Sequence, residues 1–167
     1  EAILETLPPY QGGGEMIKEV SFDKTTFNVA PYRFEAGTPA VADVVGLGAA
    51  LSFLERLDLN EVFAYEDEIM SYAQERLSAI DGVNIYAKSA HKTGSLSFNV
   101  GKVHPFDVGT LLDQLGIAIR TGHHCAQPVM KHFGIPGTAR ASFALYTTKS
   151  EIDALANGLE RIIPMLM

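Results

Sequence analysis

Val83-Asn-Ile-Tyr86, Ser95-Leu-Ser-Phe-Asn-Val100, Ile117-Ala-Ile-Arg120 and Arg140-Ala-Ser-Phe-Ala-Leu145 are four short, β-prone runs in the second half of the chain. The first two alternate apolar and polar side chains, the period of strands with one face buried. Between the second and third runs, Pro105 opens a helix carrying Val108, Leu111, Leu112 and Leu115, and Gly116 ends it. After the fourth, Thr148-Lys-Ser-Glu151 has the form of a capping box, which predicts a last helix with Ile152, Leu155, Leu159 and Ile162 on its buried face. Upstream, Asn60 is placed to cap a helix with Val62, Ile69, Ala73, Leu77 and Ile80, stopped by Asp81-Gly82. Before that, Thr38-Pro39 reads as N-cap and first residue of a helix to about Leu57, with Val41, Val44, Val45, Leu51 and Leu54 on one face. Strands and helices interleave without a dinucleotide-binding βαβ fingerprint. The expected fold class is therefore α/β of the two-layer α+β kind, a sheet with helices on one face.

The first 37 residues have a different character. Leu7-Pro-Pro-Tyr10, Gly12-Gly-Gly14, Met16–Val20, Thr25–Val29 and Pro31 set short β-prone pieces between Gly and Pro punctuation. This predicts an irregular arm or hairpin that lies on something larger. The expected organisation is thus 1–37 as a remnant of a larger domain's boundary and 38–167 as one domain.

Composition narrows the function classes. Apolar residues at 47% and charged residues at 20% over 167 residues describe a globular chain with a sizeable core. A net charge of −7 without a Lys/Arg cluster argues against a nucleic-acid binder or a polybasic membrane anchor. No run approaches the ~18 consecutive apolar residues of a membrane span. The single cysteine, Cys125, forms no internal disulfide, and the N-terminus carries no signal-peptide pattern. The expected location is therefore the cytoplasm, and the missing initial Met points to a piece of a longer protein.

Reactive side chains are densest in Arg120-Thr-Gly-His-His-Cys-Ala-Gln-Pro128, directly after a strand. A thiol becomes nucleophilic where positive charge or helix-terminal N–H groups stabilise its thiolate. Arg120, His123 and His124 supply the former, and a short helix from Pro128 through Phe133 supplies the latter. Cys125 is read either as this nucleophile or as a small buried apolar residue. A third reading joins His123 and Cys125 to His104 or His132 around a metal, but no CxxC or HxxxH spacing completes a ligand set, so no metal is assigned. Arg140 sits in an apolar strand and must meet an anion, either a structural carboxylate or a ligand's. Thr38 is either an N-cap or a phosphate contact at a helix start.

Leu7–Ile17, Arg33-Phe-Glu-Ala-Gly-Thr-Pro39, Gly116–Pro128 and Arg140-Ala-Ser142 resemble, in order, the C-terminal part of the Suf-type (group II) cysteine desulfurases and selenocysteine lyases. These belong to the class V aminotransferase group of fold-type I, pyridoxal-phosphate-dependent homodimers. The resemblance implies a C-terminal small domain with a mainly antiparallel sheet. It implies that Cys125 takes sulfur from cysteine as a persulfide, releasing alanine, for iron–sulfur cluster assembly. It also implies that Arg140 binds the substrate carboxylate, that Arg120 is a second active-site arginine near the nucleophile, and that Thr38 reaches the cofactor phosphate in the neighbouring subunit. The arm at Gly12–Gly14 would lie near the dimer interface.

The family's Schiff-base lysine lies in a Ser-x-His-Lys motif upstream of everything here. Ser89-Ala-His-Lys92 imitates it between two strands and is read as a decoy, since a short motif needs its structural context. The chain by itself is therefore expected to be inactive. Phe106, where some relatives have histidine, favours a SufE-like sulfur acceptor as partner. Two alternatives stand beside this reading: a non-enzymatic persulfide carrier or docking module, and a class V aminotransferase-like enzyme acting on another amine.

Overall fold

Antiparallel pairing of two alternating strands sets the architecture of the larger part of the computed structural model, which describes residues 2–86 and 94–166. Two units separate at Leu57/Asp58, twenty residues beyond the boundary expected from composition. The helix Val41–Leu54, which falls in the first unit, has no buried residue.

In the first unit, α1 spans Ala2–Thr6, and β1 (Ile17–Val20) pairs with β2 (Thr25–Phe27) as the expected hairpin. Arg33 gathers this segment. Its Nε donates to the Asn28 carbonyl at 3.0 Å and its Nη1 to the Glu5 carbonyl at 3.0 Å. Met16 is the one buried residue of the unit among those described. Helix α2 (Val41–Leu54) starts two residues later than expected. Ala40, not Thr38, occupies the N-cap, and no side chain caps the helix. The predicted apolar face of α2 is exposed, with Val41, Val44, Val45 and Leu51 each more than half accessible.

The second unit opens with α3 (Leu59–Ser78), capped by Asp58 and not by Asn60. Extended backbone at Asp58 lets its carboxylate accept from the N–H groups of Asn60 at 2.9 Å and Glu61 at 3.4 Å. Then follow β3 (Val83–Ile85), β4 (Ser95–Val100), α4 (Pro105–Asp113), β5 (Arg120–Gly122), α5 (Gln127–Phe133), β6 (Thr138–Ser142) and α6 (Lys149–Leu166). The sheet order is β3-β4-β6-β5, antiparallel throughout. Both the mixed class and the antiparallel sheet agree with the sequence reading. The expected third strand at Ile117–Arg120 begins only at Arg120, because the Ile117 N–H turns back to the Leu112 carbonyl at 3.0 Å to close the end of α4. The fourth strand runs 138–142 where 140–145 was expected.

Register divides the sheet into two faces. Leu96 lies opposite Ala141 and Phe98 opposite Ala139, all buried beneath α3, α4 and α6 with Val108, Leu112, Leu155, Leu159 and Ile162. Packing is close here. A Cβ on Gly109 would meet the Thr121 methyl at 2.7 Å, and one on Gly158 would meet Ile117 and Leu112 at 2.5 and 3.1 Å. The capping box forms as predicted: the Glu151 carboxylate accepts from the Thr148 N–H at 2.7 Å, and the Thr148 hydroxyl from the Glu151 N–H at 3.3 Å. On the opposite face stand Ser97, Arg140, Arg120, Thr138 and Asn99.

Gly137 leads into β6 against the end of β5. A Cβ there would lie 2.9 Å from the Gly122 carbonyl oxygen, a backbone atom that yields only if the strand moves. Gly137→Ala is expected to lower unfolding stability by about 1–3 kcal/mol, as overpacking does, measured as a reduced urea midpoint at unchanged slope.

Candidate active site at the end of the fifth strand

Three of the four residues singled out from the sequence lie in the second unit. Arg120 and Arg140 are direct cross-strand partners between β5 and β6 and stand on the sheet face turned away from the core. Like charges placed opposite each other on one face destabilise a sheet unless an anion joins them. The structural carboxylate that was one reading of Arg140 is absent among the described residues: their ion pairs are Arg33–Glu5, Arg76–Asp153 and Lys149–Glu68. The Nε of Arg140 is moreover buried without a hydrogen-bond partner. The pair therefore suits an incoming carboxylate, which satisfies guanidinium donors in bidentate fashion.

Cys125 is exposed, against the reading that makes it one more core residue. It follows Gly122, whose φ of 123° turns the chain sharply out of β5. His124 and Cys125 then both take left-handed backbone, with φ of 54° and 58°. Two consecutive non-glycine residues in this region cost about 1–2 kcal/mol each and persist only where neighbouring contacts hold them. The Ala126 N–H closes the turn on the His123 carbonyl at 2.9 Å. Helix α5 starts at Gln127, one residue before Pro128, which puts Cys125 two residues upstream of its first turn.

The holding contact is His124, whose part the sequence reading missed. Its Nε2 lies 3.0 Å from the Thr138 carbonyl and 3.0 Å from the Thr138 hydroxyl. A carbonyl only accepts, so Nε2 carries the hydrogen; in the neutral ring Nδ1 is then bare, and it is buried without a partner. Burial holds the imidazole pKa below 6.5; the Thr138 carbonyl opposes the shift, while the charges of Arg140, Arg120 and His123 add to it. On the same sheet face as Thr138, Asn99 is buried and donates from Nδ2 to the Gly137 carbonyl at 2.9 Å. The paired histidines before the cysteine were a visible signal, but no periodicity distinguishes which of them turns inward.

The remaining expectations resolve individually. His104 accepts from the Phe106 N–H at 3.3 Å as the N-cap of α4, and His132 stacks edge-on against Phe133. Among the described residues no three His, Cys, Asp or Glu side chains gather as metal ligands. Thr38 is exposed in the first unit, two residues before the α2 N-cap, and so is not itself the cap. Phe106 is exposed at the start of α4. The Ser89–Lys92 motif lies outside the described residues. No helix of the described residues is long and apolar enough to cross a membrane.

Residues 1–155 match the family model for aminotransferase class-V. This chain belongs to the class V aminotransferase family. It is 47% identical over 167 residues to a cysteine desulfurase of Escherichia coli O127:H6, and 48% identical over 164 residues to a probable cysteine desulfurase of Streptomyces coelicolor. These alignments cover 99% and 97% of this chain but 41% and 39% of the relatives, so the chain spans about two fifths of their length. The crystal structure of the cysteine desulfurase CsdA from Escherichia coli, in its S-sulfonic acid form, superposes with a TM-score of 0.89 at 42% identity. That match covers 99% of this chain and 41% of the CsdA chain, and it extends the family assignment to the fold.

Because burial lowers the His124 pKa on folding, neutral His124 contributes stability that is complete above the ordinary value near 6.5. That stability is lost as pH falls through the depressed value. Thermal unfolding between pH 7.5 and 5 should therefore show a midpoint that drops on acidification, and His124→Gln should flatten this drop.

Proposed function

We propose that this class V chain forms the C-terminal, nucleophile-bearing portion of a pyridoxal-phosphate-dependent cysteine desulfurase. The observation that carries the reading is the Arg120–Arg140 cross-strand pair, two guanidinium groups on one face without a carboxylate, at the end of the strand that turns into an exposed Cys125. A substrate with a carboxylate and a transferable sulfur matches that arrangement. Arg140 binds the carboxylate of cysteine, with Arg120 adding positive charge across the strand pair. Cys125 attacks the substrate sulfur as a thiolate. The new S–S bond forms as the substrate carbon–sulfur bond breaks, and the bonding electron pair stays with the carbon, which takes up a proton. Cysteine and the Cys125 thiol thus become alanine and the Cys125 persulfide, with no external oxidant.

Pyridoxal phosphate, when bound, supplies the electron sink that makes the carbon–sulfur bond labile. The residues described fit one end of that group only. Thr38, two residues before the N-cap of α2, is the residue that by the resemblance reaches the phosphate of the neighbouring subunit's cofactor. By the family resemblance, the lysine that holds the aldehyde lies in a Ser-x-His-Lys motif upstream of the matched segments. We therefore place the anchoring lysine in the part of the enzyme beyond this chain, and the complete enzyme, a cytoplasmic homodimer, as the active species. The persulfide then passes to a SufE-like acceptor for iron–sulfur cluster assembly. The 41% share of the relatives' length covered by this chain supports such a division.

In the complete enzyme, Cys125→Ala should abolish sulfide and persulfide release from cysteine while cofactor absorbance persists; unchanged turnover would refute the nucleophile. Arg140→Lys keeps the charge but loses the planar fork. It should raise the KM for cysteine about tenfold or more, in line with ~1.5–3 kcal/mol for a charge-assisted hydrogen bond. An unchanged KM would remove Arg140 from the carboxylate site.

A further inference from the structure

The turn that presents Cys125 is strained at two successive residues, and one side chain ties it to the sheet. His124 donates from Nε2 to the carbonyl of Thr138, 3.0 Å away, with the Thr138 hydroxyl at the same distance. Thr138 is itself buried, and it stands two residues before Arg140 on the same strand and the same face. The imidazole thus connects the residue next to the nucleophile with the strand that carries the carboxylate-binding guanidinium. We propose that His124 is a positioning residue whose Nε2–Thr138 hydrogen bond fixes where the Cys125 sulfur stands relative to Arg140. The inference rests on the roles proposed above for Cys125 and Arg140 and adds the element that sets their separation.

Three observations converge on it. Left-handed backbone at both His124 and Cys125 is not self-sustaining, so the turn needs an external tie. The acceptor is a backbone carbonyl of a strand hydrogen-bonded on both sides, by β4 and β5, and so moves only if the sheet moves. Finally, the ring is fixed in one neutral tautomer by geometry: Nε2 must donate, and the buried Nδ1 meets no acceptor that would welcome a second proton. Burial first, and then the positive groups facing it, Arg140 on β6, Arg120 on β5 and the adjacent His123, disfavour that second proton.

Two amide substitutions separate reach from backbone strain. Asn at 124 tolerates left-handed backbone better than most residues but is too short to reach Thr138. Gln places an amide N–H near the position of Nε2. In the complete cofactor-loaded enzyme, single-turnover persulfide formation on Cys125, followed by mass spectrometry, should fall roughly tenfold to a hundredfold in His124→Asn, the scale of an ångström-level misplacement. In His124→Gln it should stay within about threefold of the parent. The KM for cysteine should change less than twofold in both, and alkylation of Cys125 by iodoacetamide, which requires no alignment with Arg140, should proceed at the parental rate. Parental persulfide formation in His124→Asn, or equal losses in Asn and Gln variants, would overturn the positioning role. A fall in alkylation parallel to the fall in transfer would also overturn it, since the effect would then lie on the thiol itself. Cys125→Ala, run alongside, keeps the two levels apart: if it still releases sulfur from cysteine, the nucleophile assignment fails, whereas an inactive Cys125→Ala with an unimpaired His124→Asn defeats only the present inference.

Discussion

Period-two alternation along β4 and β6 is the constraint on which the second unit depends. It sends Leu96, Phe98, Ala139 and Ala141 to the helices and leaves Ser97, Arg140 and their neighbours on the other side. A one-residue slip of register would bury a guanidinium among Leu112, Leu155 and Leu159, at a cost far above that of any surface contact. The buried face therefore fixes the exposed one. Hydrophobic packing under α3, α4 and α6 is what holds Arg140 opposite Arg120, although neither arginine touches that core. The clamp between α3 and α6, in which Asp153 accepts from Tyr72 and Arg76 at 2.8 Å each, braces the helical layer from outside.

The sequence was most legible where one local rule acts alone. Thr148 and Glu151 satisfy each other's neighbouring backbone, so four residues suffice to locate the start of α6. Ser95–Val100 alternates without interruption and forms a strand over those residues. Legibility failed where two rules compete for one residue. Ile117-Ala-Ile looks like a strand, yet the Ile117 N–H completes the end of α4, and the two isoleucines pack against the core without joining the ladder. Thr38-Pro39 has cap chemistry, but the helix begins after Ala40; Asn60 has it too, but Asp58 already faces the free N–H groups. The apolar face of α2 was visible in the sequence as a pattern, whereas its exposure was not, because periodicity reports which residues share a face and not what covers it.

The candidate site follows the same division. Cys125 and Arg140 stand out in the sequence as candidates because a thiol among cationic residues and an arginine in an apolar strand are each chemically conspicuous. Their juxtaposition was not, since it depends on pairing between β5 and β6 across a loop, a non-local fact. His124 was illegible for a different reason. Its neighbour His123 has the same chemistry, and only the left-handed turn decides which ring faces Thr138.

Electrostatics then link the tether to the arginine pair. A second proton on His124 would sit buried, without an acceptor, and near Arg120 and Arg140, so burial and charge both disfavour it. The same two guanidinium groups that suit an incoming carboxylate thus help keep the imidazole neutral. A carboxylate bound between them would offset part of that repulsion, whereas the burial of Nδ1, the larger influence, would remain. Neutrality of the tether is consequently set first by packing and only second by the charge state of the site. An orienting hydrogen bond whose protonation followed anion binding would shift the Cys125 turn each time an anion came or went. One secured by burial keeps the Thr138 carbonyl and the Cys125 turn in the same relation whether or not an anion lies across the strands.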